Sequence, residues 1–153
     1  MNDEYLPCNC RAKYECPLDG KCRAKDVVYK CVASTSINPD KVYLGTAEGE
    51  FKKRFYNHKK SFKNRGYASD TSLSKYIWEM KDKHNETPTL KWSIVKSVPT
   101  YSNISKKCAL CLQEKFEIIN YENQSELLNK RSEMFSKCRH ANKFLLANYK
   151  AND

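Results

Sequence analysis

The chain has 153 residues, 40% hydrophobic and 12% aromatic, the size of one domain with enough apolar material for a core, which excludes an intrinsically disordered chain. Its net charge of +10 points to a polyanionic partner, nucleic acid ahead of an acidic membrane surface. The longest apolar stretches, around 27–33 and 144–147, fall far short of the roughly 20 residues of a membrane-spanning helix, and the opening MNDEYLPCNC lacks the apolar core of a secretory signal.

Residues 1–25 form a cysteine-rich leader, CNCRAKYECPLDGKC, with four cysteines at short spacing and almost no aliphatic residues; a metal or cross-links must hold such a segment. Residues 26–153 read as one domain ending in a Cys/His tail. VVYKCVAST, from Val27, reads as a β-strand, INPD as a turn and KVYLGT, from Lys41, as a second strand, predicting a hairpin. Gly45 lets the chain turn tightly, or approach a substrate, after that strand. From Glu50 to Lys63 the period becomes helical, with Phe51, Phe55 and Phe62 on one face and Lys and Arg on the other. RGYASD breaks this helix, and Asp70, Thr71 or Ser72 caps the next, which carries Leu73, Tyr76, Ile77 and Met80. HNETPT is a loop, and in LKWSIVKSV the alternation of Leu90, Trp92 and Ile94 predicts a half-buried strand. A third helix is expected over 105–120, a short helical turn over 125–129, and a helical or irregular tail. The order β-β-α-α-β-α defines an α+β domain with a small, mostly antiparallel three-stranded sheet flanked by helices.

Eight cysteines without a secretory signal favour zinc-bound thiolates in a reducing compartment over disulfides. Cys8, Cys10, Cys16 and Cys22 suffice for one tetrahedral zinc. Cys108 and Cys111, three apart on one helix face, form a second candidate site with Cys138 and His140. Closed thiolate sites leave no position for water, so the role of zinc is structural. A regrouping in which a leader cysteine or Cys31 joins Cys108 and Cys111 also fits, as does a buried strand thiol for Cys31.

VVY at 27–29 followed by YLG at 43–45 resembles the paired GIY and YIG strands of the GIY-YIG endonucleases, with the first glycine lost and the tyrosine kept. EFKKRFYNH sets Arg54 and His58 four apart on one helix face, similar to the Arg and His of that family's first helix. LCLQEKFEI sets Glu114 where the family has its metal-binding glutamate, and Asn129 in LLNKR is the candidate for its late asparagine. The CxC…CPLxGKC leader, the CxxC beside the glutamate and the closing CRH are similar to the endonuclease module of Penelope-like retroelements. The resemblance, over 27–130, implies the GIY-YIG nuclease fold with a zinc-stabilised N-terminal extension. It also implies a DNA endonuclease with a catalytic Mg²⁺ or Mn²⁺, covalently linked to a reverse transcriptase that primes on the cut, and a nuclear location.

The residue types suit that chemistry. Phosphodiester hydrolysis needs an activated water, neutralised phosphate charge and a stabilised leaving group. Glu114 offers a hard oxygen ligand for Mg²⁺ or Mn²⁺, and Arg54 a bidentate phosphate contact. Tyr29 is the candidate general base, its pKa lowered from about 10 by Lys53, Arg54 or the metal. His58 orients or deprotonates Tyr29 or contacts phosphate, and Tyr43 hydrogen-bonds the water or phosphate. Lys52, Lys59, Lys60, Lys63 and Arg65, with Phe62 and Tyr67 interleaved, form a candidate DNA-binding surface that Lys130, Arg131, Lys137 and Arg139 extend. Two other readings compete: a zinc-stabilised nucleic-acid-binding module without catalysis, and a secreted disulfide-rich protein.

Overall fold

The computed structural model describes residues 6–102, 104, 108–129 and 138. Three strands, β1 (Val27–Ser34), β2 (Lys41–Ala47) and β3 (Thr89–Ser97), form one sheet in the order β2-β1-β3, antiparallel throughout. Three helices complete it: α1 (Phe51–Lys63), α2 (Ser72–His84) and α3 (Ala109–Asn120). The α+β architecture and its three-stranded antiparallel sheet are those expected from the hydrophobic periods.

The central strand explains the layering. Val27, Tyr29, Cys31 and Ala33 alternate onto one face and pack with Phe51, Leu73, Ile77, Met80 and Trp92 in the main core. Val28 points to the other face, where it meets Leu110 of α3 and the thiols of Cys108 and Cys138. Against β3 the register slips between Val28 and Tyr29, so that Tyr29 pairs with Ile94 and Val28 with Lys96. This irregularity lies at the tyrosine itself, where bulges commonly re-aim a side chain.

Local chemistry sets the helix ends. Thr71, of the three candidates, caps α2: its hydroxyl accepts from the Ser74 amide, and the Ser74 hydroxyl accepts from the Thr71 amide in return. Asn85 ends that helix in the left-handed region, at φ 51°. Helix α1 has no side-chain cap. Its first amides are satisfied from the leader instead: Phe51 N–H donates to the Ala24 carbonyl at 2.8 Å and Lys52 N–H to the Cys22 carbonyl at 2.7 Å. Leu18 and Ala24 of the leader also enter the main core, so the cysteine-rich segment is joined to the rest of the fold.

Three expectations change in detail. Helix α3 begins at Ala109, and residues 105–107 lie outside the described residues, as does the tail apart from Cys138. The short helical turn expected over 125–129 is a 3-10 turn at Gln124–Glu126, after which the chain extends along β2. There Leu127 bridges Val42 and Leu128 N–H donates to the Val42 carbonyl at 2.7 Å, because the free edge of β2 offers unpaired backbone groups. Gly45 makes no turn; it lies within β2 opposite Tyr29. A Cβ there would stand 2.5 Å from Cζ and the hydroxyl of Tyr29, so the glycine makes room for the ring.

Gly45→Ala is therefore expected to destabilise the fold by at least the roughly 1–3 kcal/mol of core overpacking. Gly49→Ala, whose added Cβ meets nothing within 4 Å, serves as the control and should shift stability by less than about 0.5 kcal/mol in the same thermal unfolding measurement.

Candidate active site and cysteine clusters

The tyrosine of the first strand and the histidine of the first helix meet. The Tyr29 hydroxyl and His58 Nε2 are 2.6 Å apart, and both residues are buried, at 0% and 1% exposure. Aromatic rings wall the pair: Phe51 lies 5.0 Å from Tyr29 and Trp92 5.3 Å from His58, centroid to centroid, and the Tyr43 and His58 rings stand 5.8 Å apart at 80°. Arg54, one turn before His58, lies beside the phenols of both Tyr29 and Tyr43, near enough for its charge to act on each. The charge of Glu114 bears on the same phenol. Tyr29, Tyr43, Arg54, His58 and Glu114, drawn from two strands and two helices, thus share one neighbourhood.

The electrostatics differ from expectation. Burial, then the proximity of Tyr43, pushes the Tyr29 phenol well above its ordinary pKa, and Arg54 offsets only part of this. The physical reason is that a dry, ring-lined site penalises phenolate more than one partly buried guanidinium repays. Lys53 does not help, because it lies on the exposed face of α1. Burial, aided by the positive charge of Arg54, pulls His58 down to about 3, so its imidazole is neutral near pH 7. A neutral imidazole can accept the Tyr29 hydrogen bond at Nε2, and its buried Nδ1 has no hydrogen-bond partner. An unsatisfied buried polar atom costs about 1–3 kcal/mol and so marks a place where packing alone does not explain the arrangement.

Glu114 is half-buried on α3, its carboxylate 3.7 Å from the ammonium of Lys115. Lys115 itself is 1% exposed, and sequence reasoning passed over it. The signal was present: Lys115 follows Leu112 and precedes Ile118 by three residues each, so helical spacing already put it on the buried face. Trp92 was read only as a strand residue, yet its ring closes the pocket over His58. Asn129 has a backbone role: its side chain accepts from the Leu44 amide at 2.8 Å and donates to the Leu44 carbonyl at 2.7 Å, pairing β2 as a neighbouring strand would.

The leader thiols converge. Cys8, Cys10, Cys16 and Cys22 place their sulfurs within 4.8 Å of one another, with Cys22 3.5 Å from Cys8 and 3.8 Å from Cys10. Four sulfurs about 2.3 Å from one zinc stand about 3.8 Å apart at tetrahedral angles, so the cluster fits that ion. Backbone amides already address the sulfurs, Cys10 N–H to Cys8 at 3.3 Å and Gly20 N–H to Cys16 at 3.1 Å. The first of these bonds holds the Cys8 thiol down to about 7, towards the thiolate that zinc binds. Cys108, Cys111 and Cys138 form the second group, with Cys111 and Cys138 3.3 Å apart; His140 lies outside the described residues. Cys31 joins neither group: it packs on the Tyr29 face of the sheet, in the core.

The basic residues divide. At 100° per residue, Lys52, Lys59 and Lys63 fall on a flank of α1 roughly opposite Arg54. Lys52 bonds Asn9 of the leader at 2.7 Å, and Lys60 lies over the Tyr67 ring at 4.7 Å. Arg65 is engaged structurally, with two 3.0 Å bonds to Asp82 and its guanidinium 4.6 Å above the Trp78 ring. Lys130, Arg131, Lys137 and Arg139 lie outside the described residues.

Two measurements follow. Reduced protein is expected to contain zinc by elemental analysis, and Cys16→Ser to lose about one equivalent while the Cys108 group keeps its own; zinc-free wild type would reject the site. His58 binds protons less readily folded than unfolded, so its contribution is intact above about pH 6.5 and is lost as pH falls towards 3. Wild type should thus lose up to about 1.4 kcal/mol per pH unit below 6.5 more than His58→Gln loses, as read by chemical denaturation. No protein-family model matches the chain, nor does any curated protein or solved structure.

Proposed function

We propose that the chain is a metal-dependent DNA endonuclease of the GIY-YIG type, the target-cutting domain of a retroelement protein whose linked reverse transcriptase extends the cut strand in the nucleus. The observation that carries this reading is the 2.6 Å contact of Tyr29 and His58 beside Arg54 and Glu114. A buried, neutral imidazole against a phenol is a proton relay whose pieces are already in reach.

In this reading the phosphate of bound DNA offsets the charge of Arg54 and so raises the proton affinity of His58; a water oxygen then attacks the phosphorus as its proton passes to the Tyr29 oxygen and the Tyr29 proton passes to His58 Nε2. The P–O bond to the departing sugar oxygen breaks, that oxygen takes its proton from solvent water, and Arg54 stabilises the charge that develops on the phosphate. The raised pKa of Tyr29 requires this relay, because a free phenolate at rest is disfavoured there. Glu114 would hold the Mg²⁺ or Mn²⁺, its half-buried carboxylate being a hard oxygen donor. When bound, the ion polarises the phosphate and its leaving oxygen. Lys115, 3.7 Å from Glu114, positions that carboxylate.

A second reading is a zinc-stabilised nucleic-acid-binding module without catalysis, and the complete burial of Tyr29 favours it, since a general base must meet its water. Nicking of supercoiled plasmid in Mg²⁺ or Mn²⁺ decides between the two. For an endonuclease, Glu114→Ala and Tyr29→Phe should each lose about 100-fold or more in nicking while keeping DNA affinity. Equal nicking by wild type and both variants, or none by any, rejects the mechanism.

A further inference from the structure

A groove separates the cysteine leader from α1, on the flank of that helix turned away from Arg54, and the chemistry above makes no use of it. Two adjoining clefts of about 360 and about 610 Å³ run along it, walled by the leader and by α1 and, in the smaller, also by Leu90 and Trp92 of β3. Its rings are unusually placed. Tyr14 is 89% exposed and Tyr56 53% exposed, so neither owes its position to the core. Phe55 lies between them on the helix side.

Charge follows the rings. Arg11, Lys59 and Lys63 line the groove, and Lys59 lies over the Phe55 ring at 5.4 Å. Lys52 also lines it, over Tyr56 at 5.9 Å, but is bonded to Asn9 and sits against Cys10. Glu15 is the acidic residue among those lining the two clefts. Cations interleaved with exposed aromatic faces match a phosphate backbone carrying unpaired bases. A duplex hides its base faces in the stack and would leave both tyrosine faces unused. An acidic protein surface would match the cations and leave the rings without partners.

We propose that this groove holds a single nucleic-acid strand, with bases stacked on Tyr14 and Tyr56 and phosphates held by Arg11, Lys59 and Lys63. The proposal rests on the reading of the chain as a nucleic-acid-binding protein and is independent of whether it cuts. Geometrically, the strand lies across α1 from the Tyr29 pair, so the helix that presents Arg54 to one side presents the strand-binding flank to the other. The leader gains a second role: its fold sets the width of the groove as well as capping α1.

The test uses the full, zinc-loaded chain and fluorescence anisotropy with a labelled oligo(dT) of about 15 nucleotides, beside a duplex of equal length. Wild type should prefer the single strand, with a log–log salt slope of roughly −2 from three phosphate contacts. Tyr14→Ala with Tyr56→Ala should weaken oligo(dT) binding at least about tenfold, whereas the paired Phe substitutions, which keep the rings, should bind as wild type. Glu15→Lys should tighten binding. Unchanged affinity in the double alanine variant, or a wild-type preference for duplex, overturns the proposal. Plasmid nicking in the same variants separates the two readings. Absent nicking with ring-dependent oligo(dT) binding defeats the nuclease alone, and intact nicking with ring-independent binding defeats the groove alone.

Discussion

The Tyr29 ring crosses the bare Cα of Gly45 to bring its hydroxyl against His58, and this crossing joins the central strand to α1. One hydrogen bond of this kind contributes about 0.5–1.5 kcal/mol net. The rings around it contribute as much each: Tyr29 against Phe51, and His58 against Trp92, are contacts worth about 0.5–1.5 kcal/mol beyond area burial. Packing therefore outweighs the bond in holding the pair, and the bond decides how the two polar atoms face. The same packing keeps water out, which drives the phenol up in pKa and the imidazole down and leaves both neutral.

The helix that supplies His58 depends in turn on the leader. Helix α1 lacks a side-chain cap, and the carbonyls of Cys22 and Ala24 accept its first amides. Cys22 belongs to the thiol cluster, so the candidate metal site and the helix cap share a residue. Arg23 adds a 3.2 Å ion pair to Glu50 at the head of the helix, partly exposed and so of modest strength. Metal held by those thiols would thus bear on the position of Arg54 and His58 through backbone hydrogen bonds, without touching the pocket. On the other sheet face, the second thiol group anchors the start of α3, the helix that carries Glu114 and Lys115.

The large positive charge has several destinations. Arg65 is bound to Asp82 and stacked on Trp78, Lys115 is buried beside Glu114, and Arg54 is shared between two phenols. Net charge describes the field at a distance, and each of these cations has a local task as well. The exposed lysines of α1 lie on a different flank from Arg54, so they and the Tyr29 pocket occupy separate faces of one helix.

By itself the sequence determined the periods, and these set the architecture. Alternation in VVYKCVA, KVYLGTA and LKWSIVK made strands, and the spacing of Phe51, Phe55, Phe62 and of Leu73, Tyr76, Ile77, Met80 made helices, because burial of one face follows directly from a repeat of two or 3.6 residues. It also put Arg54 and His58 on one helix face and four thiols within reach of one ion. Only the tertiary structure decided what those residues meet. That Gly45 exists to clear a ring, that Asn129 completes a strand edge, and that Lys115 is buried at Glu114 are contacts between segments far apart in the chain, and no local pattern encodes them. The same holds for the pKa values of Tyr29 and His58: residue type supplies the titrating group, and burial by distant rings sets where it titrates.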